Sequence, residues 1–519
     1  MMTGKFDSVG RRLLSGSVLR VGNLIAAAIA SFFLMPFIVH HLGDRVYGFW
    51  SLATVLIGYY DLLDFGLSSA VSQYLSVAIG LRDQAECRGV FNAALRIQSL
   101  LGGIALLATA AIAVVAPRFC HNLADAHLFW RIIAILGINT ALSFPARVYG
   151  AVLGAEFRFD IQAGVAILGV ALRTGLVVWV ISAGWGLLAL AWTTLFASLP
   201  VMVLQICFAR REALWARIES RSMEAKRVKD LFSYSIYIFF AYLADILRFQ
   251  ADPVVISGLI GLAAVTHYRV AAGFTQYYLQ ILIVSVGMLH PVLSRFHAAG
   301  NQAGLEKLFL FGMKISCCIS VFVCLALIGW GKPFIARWMG TQYGDAYLPL
   351  VMLSLAVLLD VSQKPSIDLL YATFKHRFYT YMNWAEGILN LACSLALARP
   401  LGILGVAVGT LIAAFFIRAV VQPWWVCRVS GLSYASYMRF LGRNLLYCGL
   451  LMGTATTIAA WGLRPNYVSL VSSAICATMI YAIASWWLVF NRREREQFRA
   501  AITNRDQNRV EFAATVATV

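Results

Sequence analysis

Asp245, Arg248 and Asp252 stand three, four and seven residues apart, just ahead of Pro253, inside a long apolar run. On a helix those spacings put all three charges on one face. Ionisable side chains within a membrane span are costly and by default mark a ligand, ion or proton pathway. The next apolar run returns with His267 and Arg269. If the chain turns at Ile260-Gly261, Asp252 and Arg269 reach the same depth on antiparallel neighbours. A salt bridge between them is then the expected pairing. A bridge that breaks and reforms during transport, or a substrate anion competing for Arg269, are its functional versions. Asp360, Lys364 and Asp368 follow at i, i+4 and i+8 around Pro365, so Asp360 and Lys364 are expected to neutralise each other. Glu386 lies mid-way along a further apolar run.

The first half of the chain has its own set. The stretch from Leu42 to Ser76, LGDRVYGFWSLATVLIGYYDLLDFGLSSAVSQYLS, is too long and apolar for a soluble helix, yet carries Asp61, Asp64 and Gly66. Arg20 sits about two turns into the first apolar run, where it either faces a cavity or snorkels to headgroups. Arg131 and Arg147 are close enough to span ends to snorkel; Arg173 and Arg418 are nearly central. Together these groups imply a hydrated cavity, because they cannot all face lipid. Arginine outnumbers lysine inside the spans, and its fork suits phosphate and carboxylate, so an anionic headgroup is the natural ligand. Tyr59 and Tyr60 could stack on sugars. Trp50, Trp330, Trp338, Trp424 and Trp425 read as an interfacial belt.

These residues need a membrane scaffold, and composition supplies one. The chain of 519 residues is 61% hydrophobic and 13% charged, against about 45–50% and about 25% in soluble domains. An all-α polytopic membrane protein follows; the alternating pattern of a membrane barrel is absent. About fourteen spans are expected: 14–40, 46–78, 88–116, 127–153, 159–182, 185–209, 231–259, 263–293, 308–331, 346–371, 377–398, 401–427, 440–463 and 466–490. With the N-terminus inside, 25 basic residues fall on inner segments and 6 on outer loops, so both termini are expected in the cytoplasm. The net charge of +18 therefore reads as topology signals and anionic lipid contact, with no nucleic-acid partner. The ten cysteines read as free packing thiols; no metal site, cofactor or disulfide framework is expected.

A faint repeat at an offset of 218 sets Leu42-Gly43 against Ile260-Gly261, Trp50 against Tyr268, Tyr59-Tyr60 against Tyr277-Tyr278 and Ser76 against Ser294. Two six-helix lobes are expected, at 1–209 and 231–427, joined by a cytoplasmic linker at 210–230. Two further helices at 428–490 and a cytoplasmic tail at 491–519 complete the chain. No P-loop, paired-histidine metal motif or nucleophile elbow is present, so an enzyme is not expected.

The Leu42–Ser76 stretch, preceded by Pro36 in FLMPFIVHHLG, resembles the N-terminal signature of the polysaccharide transporter branch (Wzx-type oligosaccharide flippases) of the multidrug/oligosaccharidyl-lipid/polysaccharide exporter superfamily. The stretch DPVVISGLIGLAAVTHYRVAA, from Asp252 to Ala272, resembles that branch's repeat of the motif, with Thr266 where glycine is more usual. The resemblance implies a two-lobed fourteen-span fold that alternates between inward and outward openings. It implies an inner-membrane flippase for undecaprenyl-pyrophosphate-linked oligosaccharides (O-antigen, capsule or exopolysaccharide units), expected as a monomer among membrane lipids, beside a polymerase and chain-length regulator. By analogy the lateral openings lie between spans one and eight and between two and seven. That makes Arg20, Asp61, Asp64, Asp245, Arg248 and Arg269 substrate-binding candidates, and Asp252, Asp360 and Lys364 coupling or gating candidates. The alternatives are a drug/cation antiporter of the same superfamily, with a compact acidic pocket, and a non-transport scaffold or enzyme of polysaccharide synthesis.

Overall fold

The computed structural model describes residues 3–115, 123–218 and 239–496, apart from 241, 249, 287–288, 374, 376 and 461–465. The described residues are helical almost throughout, with no strand among them. Residues 219–230 of the expected linker, 231–238 of the seventh span and 497–519 of the tail lie outside them.

Ten described stretches are long and apolar enough to cross a membrane. One of them, Arg377–Ser430, turns back at Gly402 (φ +61°) just after Pro400, where sequence places the boundary between spans eleven and twelve. With that division, and with the apolar helices Leu262–Val286 and Tyr434–Ala460 and the helical residues of 242–259, the described helices are consistent with the fourteen expected spans. The chain is an all-α, multi-pass membrane protein.

Two compact units form, one from Met1–Val270 with Thr380–Gly409, the other from Ala271–Tyr379 with Thr410–Val519. In the first, α1 (Thr3–Leu42) packs on α6 (Phe159–Ser182). Helices α4 (Gln84–Val115), α5 (Leu123–Ala155) and α7 (Gly186–Glu212) enclose a core containing Phe91, Ile132, Phe144 and Leu190. The second span is not continuous. Helix α2 (Asp44–Gly58) tightens into a 3₁₀ turn over Tyr59–Asp64, stops at left-handed Phe65 and Gly66 (φ +49° and +73°), and resumes as α3 (Leu67–Gly80). The seventh span breaks likewise: helical residues 242–248 end in a turn, and α8 (Asp252–Leu259) starts afresh with Pro253 in its first turn. After the turn at Gly261, α9 (Leu262–Val286) runs on.

In the second unit, α10 (Leu289–Ala298) leads into the long helix α11 (Gln302–Trp338). The tenth span is broken again: α12 (Tyr347–Val361) ends ahead of Ser362-Gln363, and α13 (Lys364–Ala372) begins with Pro365 in its first turn. Helix α14 (Arg377–Ala414) passes into a π-helical segment, Phe415–Val421, and then α15 (Gln422–Ser430). Helices α16 (Tyr434–Ala460) and α17 (Tyr467–Leu488) pack on α11 around Cys318, Met452 and Tyr481. The described cysteines are all free, and Cys318 and Cys448 meet at 3.5 Å inside this core.

Candidate functional site

The breaks in spans two and seven meet. The hydroxyl of Tyr59, in the 3₁₀ turn, donates to the carbonyl of Gln250 at 2.9 Å, two residues before α8 opens. Irregular backbone at membrane depth is tolerated where it is buried in protein or lines a watered cavity, and half-helix ends at such breaks bind charge. Of the candidate charges, Asp61, Asp64, Asp245, Arg248 and Asp252 lie around this junction.

Asp61 and Asp64 share one arginine. Arg147, on α5, lies 2.5 Å from Asp61 and 3.8 Å from Asp64. Asp64 is buried and accepts three further hydrogen bonds, from the Gln98 amide at 2.5 Å, the Ser68 hydroxyl at 2.9 Å and the Ser68 N–H at 3.3 Å. Those donors fix the position of Asp64, while the side chain of Asp61 remains 43% exposed. Tyr242 lies within electrostatic range of Asp61, Asp64, Arg147 and Asp245, so the structure brings Asp245 to the same cluster. Arg147, expected to snorkel, instead counters two carboxylates, because α5 packs its inner face against α3.

Arg248 and Asp252 form the second cluster. The Arg248 Nε donates to Glu386 at 2.7 Å, both groups almost fully buried. One turn further, Asp252 accepts from the Tyr268 hydroxyl at 2.5 Å and from the Asn390 amide at 3.3 Å. Asn390 also donates to the Arg248 carbonyl at 3.3 Å. Asp252 occupies the first turn of α8, where the helix dipole favours a carboxylate.

The expected bridge between Asp252 and Arg269 does not form. Tyr268 turns toward α8, so its neighbour Arg269 faces α2, where its Nε donates to Ser51 Oγ at 2.6 Å. Among the described residues no carboxylate lies within ion-pair distance of Arg269. Tyr47 lies in the field of both Arg269 and Arg173, so this side of the unit is basic. Above it, α2 and α9 are zipped together. Thr266 Oγ1 donates to the Asp44 carbonyl at 2.6 Å, and His267 Nε2 lies 3.5 Å from Asp44. A Cβ at Gly48 would stand 1.9 Å from the Leu262 carbonyl oxygen.

Arg20 stands apart, exposed, with its guanidinium 4.5 Å above the Phe159 ring. Tyr60, a sugar-stacking candidate, is buried with its hydroxyl on Thr109 at 3.0 Å.

In the second unit the expected Asp360–Lys364 pair is also replaced. Lys364 binds Asp368 at 2.8 Å, and Asp360 lies 3.3 Å from the Nε of Arg418. The break at Ser362-Gln363 removes the one-turn relation of Asp360 to Lys364, while Lys364 and Asp368 stay together on α13. Sequence reasoning undervalued Arg147, Gln98, Glu386 and Asn390. The signal was there: each is polar within an apolar run.

The family described as "Polysaccharide biosynthesis protein" matches residues 41–348. The chain belongs to this family. A membrane protein of Bacillus subtilis (strain 168), EpsK, is 20% identical over 490 residues, covering 91% of this chain and 94% of that one. A membrane protein of Methanocaldococcus jannaschii, MJ1068, is 23% identical over 224 residues, 42% of each chain. Among solved structures, the lipid II flippase MurJ in an inward closed conformation superposes with a TM-score of 0.71 at 11% identity, over 91% of this chain and 97% of that one. An inward-facing multidrug resistance MATE family transporter of the MOP superfamily superposes with a TM-score of 0.66 at 18% identity, over 79% and 94%. This member of the polysaccharide biosynthesis family thus has the fold of MOP-superfamily transporters.

Proposed function

We propose that the chain is a flippase that carries undecaprenyl-pyrophosphate-linked oligosaccharides across a bacterial inner membrane by alternating access, with no covalent step and both termini in the cytoplasm. The observation that carries this reading is Arg269: a guanidinium within the membrane-spanning part, held by a neutral hydroxyl and with no carboxylate at ion-pair distance among the described residues. A charge left uncompensated at that depth costs several kcal/mol unless a ligand of opposite sign visits it. A pyrophosphate presents oxygens that match the guanidinium fork. The polar head needs shielding through about 30 Å of hydrocarbon, while the tail stays in lipid. The broken second and seventh spans, with the first and eighth, supply polar lining for such a head: Asp61, Asp64 and Asp245 for sugar hydroxyls, Arg248 and Arg269 for phosphate, Arg20 as an exposed entry contact. Asp252, Asp360 and Lys364 remain coupling candidates, Asp252 because its buried carboxylate is held by the Tyr268 phenol and the Asn390 amide at the break in the seventh span. The sugar is an O-antigen, capsule or exopolysaccharide unit, handed to a polymerase and chain-length regulator.

The test is complementation of a flippase-null strain with wild type, Arg248→Ala and Arg269→Ala at equal membrane abundance. Surface polysaccharide and inner-leaflet precursor are followed together. Rescue by wild type and loss with Arg269→Ala is the expected result. Full rescue by Arg269→Ala would remove that residue from the substrate path. Failure of wild type in strains with several different sugars, combined with gained resistance to cationic drugs, would replace the proposal with drug export.

A further inference from the structure

Two helix irregularities in the second unit complete each other. In the π segment Phe415–Val421 the N–H of Gln422 donates to the carbonyl of Ile417, five residues back. In an α-helix it would serve Arg418, four back. The local cause is Pro423, which has no N–H for the carbonyl of Ala419 and whose ring would collide with it in α register. The slip leaves the Arg418 carbonyl without its helical donor, and the Gln363 side-chain amide fills that place at 2.7 Å. Gln363 is itself the residue at the break between α12 and α13 and is 1% exposed. Its Oε1 accepts from the Tyr437 hydroxyl at 3.1 Å, and its carbonyl accepts from the Gln422 amide at 3.5 Å. Gln422 Oε1 accepts from Arg418 Nη1 at 2.9 Å. Arg418 is fully buried, with its guanidinium 5.3 Å from the Tyr379 ring centre and 3.3 Å from Asp360. A π register is uncommon, and within a span it is often a functional element.

We propose that Gln363 and the segment Phe415–Val421 form one register switch. In the observed register the Gln363 amide caps Arg418, and the slip keeps the arginine against Asp360. In the second register Gln422 N–H returns to the Arg418 carbonyl, the Gln363 amide is expelled, and the helix on one side of the bulge turns by about 100° relative to the other. That rotation separates Arg418 from Asp360 and carries α15, including the buried thiol of Cys427, to a new face. Because Gln363 belongs to the broken tenth span, the bend of that span and the register of the twelfth change together. The switch is intrinsic to this unit and stands whatever the cargo.

Gln363→Leu removes the cap, and Pro423→Ala restores the N–H whose absence drives the slip, so both shift the chain toward α register. The full chain in lipid nanodiscs, with Cys427 as its single cysteine, gives two readouts: the backbone trace at 415–422 by cryo-electron microscopy and the rate at which maleimide modifies Cys427. In the parent, Cys427 is protected. Continuous α-helix at 415–422 in either folded variant, with Cys427 modified about tenfold faster or more, is the expected result. Retention of the π register with unchanged Cys427 protection in the folded variants would overturn the proposal. Pro423→Ala adds a donor and removes no hydrogen bond, so it keeps the test open if Gln363→Leu does not fold.

Discussion

Arg269 and Ser51, joined by a 2.6 Å hydrogen bond, stand 218 residues apart, which is the offset of the internal repeat. The same offset relates Gly43 and Gly261, which both have positive φ (+81° and +137°) and immediately precede helices α2 and α9. The duplicated motif therefore meets its own copy, and one copy supplies a serine where the other supplies an arginine. Ser51→Ala deletes a neutral acceptor and leaves the guanidinium in place, so it is expected to cost at most about tenfold in flipping, about 1.4 kcal/mol. Arg269→Ala is expected to abolish flipping, and Arg269→Lys to restore only part, since a lysine lacks the planar fork. Precursor accumulation in membranes ranks the three; equal activity of Arg269→Ala and Ser51→Ala would contradict this.

Gly48 sets how closely α2 and α9 approach. A methyl group there meets the Leu262 carbonyl oxygen at 1.9 Å, which is backbone that no rotamer change moves aside. Gly48→Ala is expected to part the Asp44–Thr266 and Ser51–Arg269 contacts and so to disfavour the zipped arrangement. Cysteine at Ala263, an exposed position on α9, would report this. Its labelling by a membrane-impermeant reagent in intact cells is predicted to rise in the Gly48→Ala background, and no change would show that the zipper is not a moving part.

The Arg248–Glu386 pair is almost dry, with side chains 9% and 3% exposed. Removing one partner of a buried pair typically costs about 3–5 kcal/mol, whereas replacing both by apolar groups of similar volume is often near neutral. Glu386→Leu and Arg248→Met are each expected to lower the melting temperature of the purified protein, and the double variant to recover most of the loss. Flipping should stay impaired in the double variant if Arg248 serves substrate. A fully active double variant would reduce the pair to architecture.

The helical scaffold was legible because membrane spans announce themselves by length and apolarity, and the turn at Gly402 falls within a few residues of the boundary expected between 377–398 and 401–427. The polar pairing was not. Asp252 and Arg269 were matched by depth, yet depth does not set azimuth: Tyr268 rather than Arg269 faces α8, and α2 takes the arginine. Asp360 and Lys364 were matched by helical spacing, and a break at Ser362-Gln363 undid that spacing. Arg418 reaches Asp360 only through a π slip whose sole local sign is Pro423. Arg147 was misread because an arginine near a span end snorkels unless carboxylates await it, and those came from Asp61 and Asp64, more than 80 positions earlier.

Lys314 extends the same logic to the C-terminal segment. It is a buried lysine on α11, and both its carboxylate contacts, at 2.9 Å each, go to Glu494, six residues past the end of α17. Glu494 also accepts from the Asn491 N–H at 2.7 Å, which fixes the first turn after the span. Arg495 stacks over Trp487 at 4.6 Å, and Lys314 lies 6.0 Å from the Phe490 ring centre. The start of the tail is therefore part of the folded unit rather than a free extension. Truncation after Asn491 removes the carboxylate and strands the ammonium, so the melting temperature is expected to fall, by about the 3–5 kcal/mol of a broken buried pair. Lys314→Met in the truncated chain removes the stranded charge and should return most of that loss. Truncation after Glu496 keeps the contact and should be close to neutral. If both truncations destabilise equally, the tail acts through residues beyond Glu496, and the Lys314–Glu494 pair is not what anchors it.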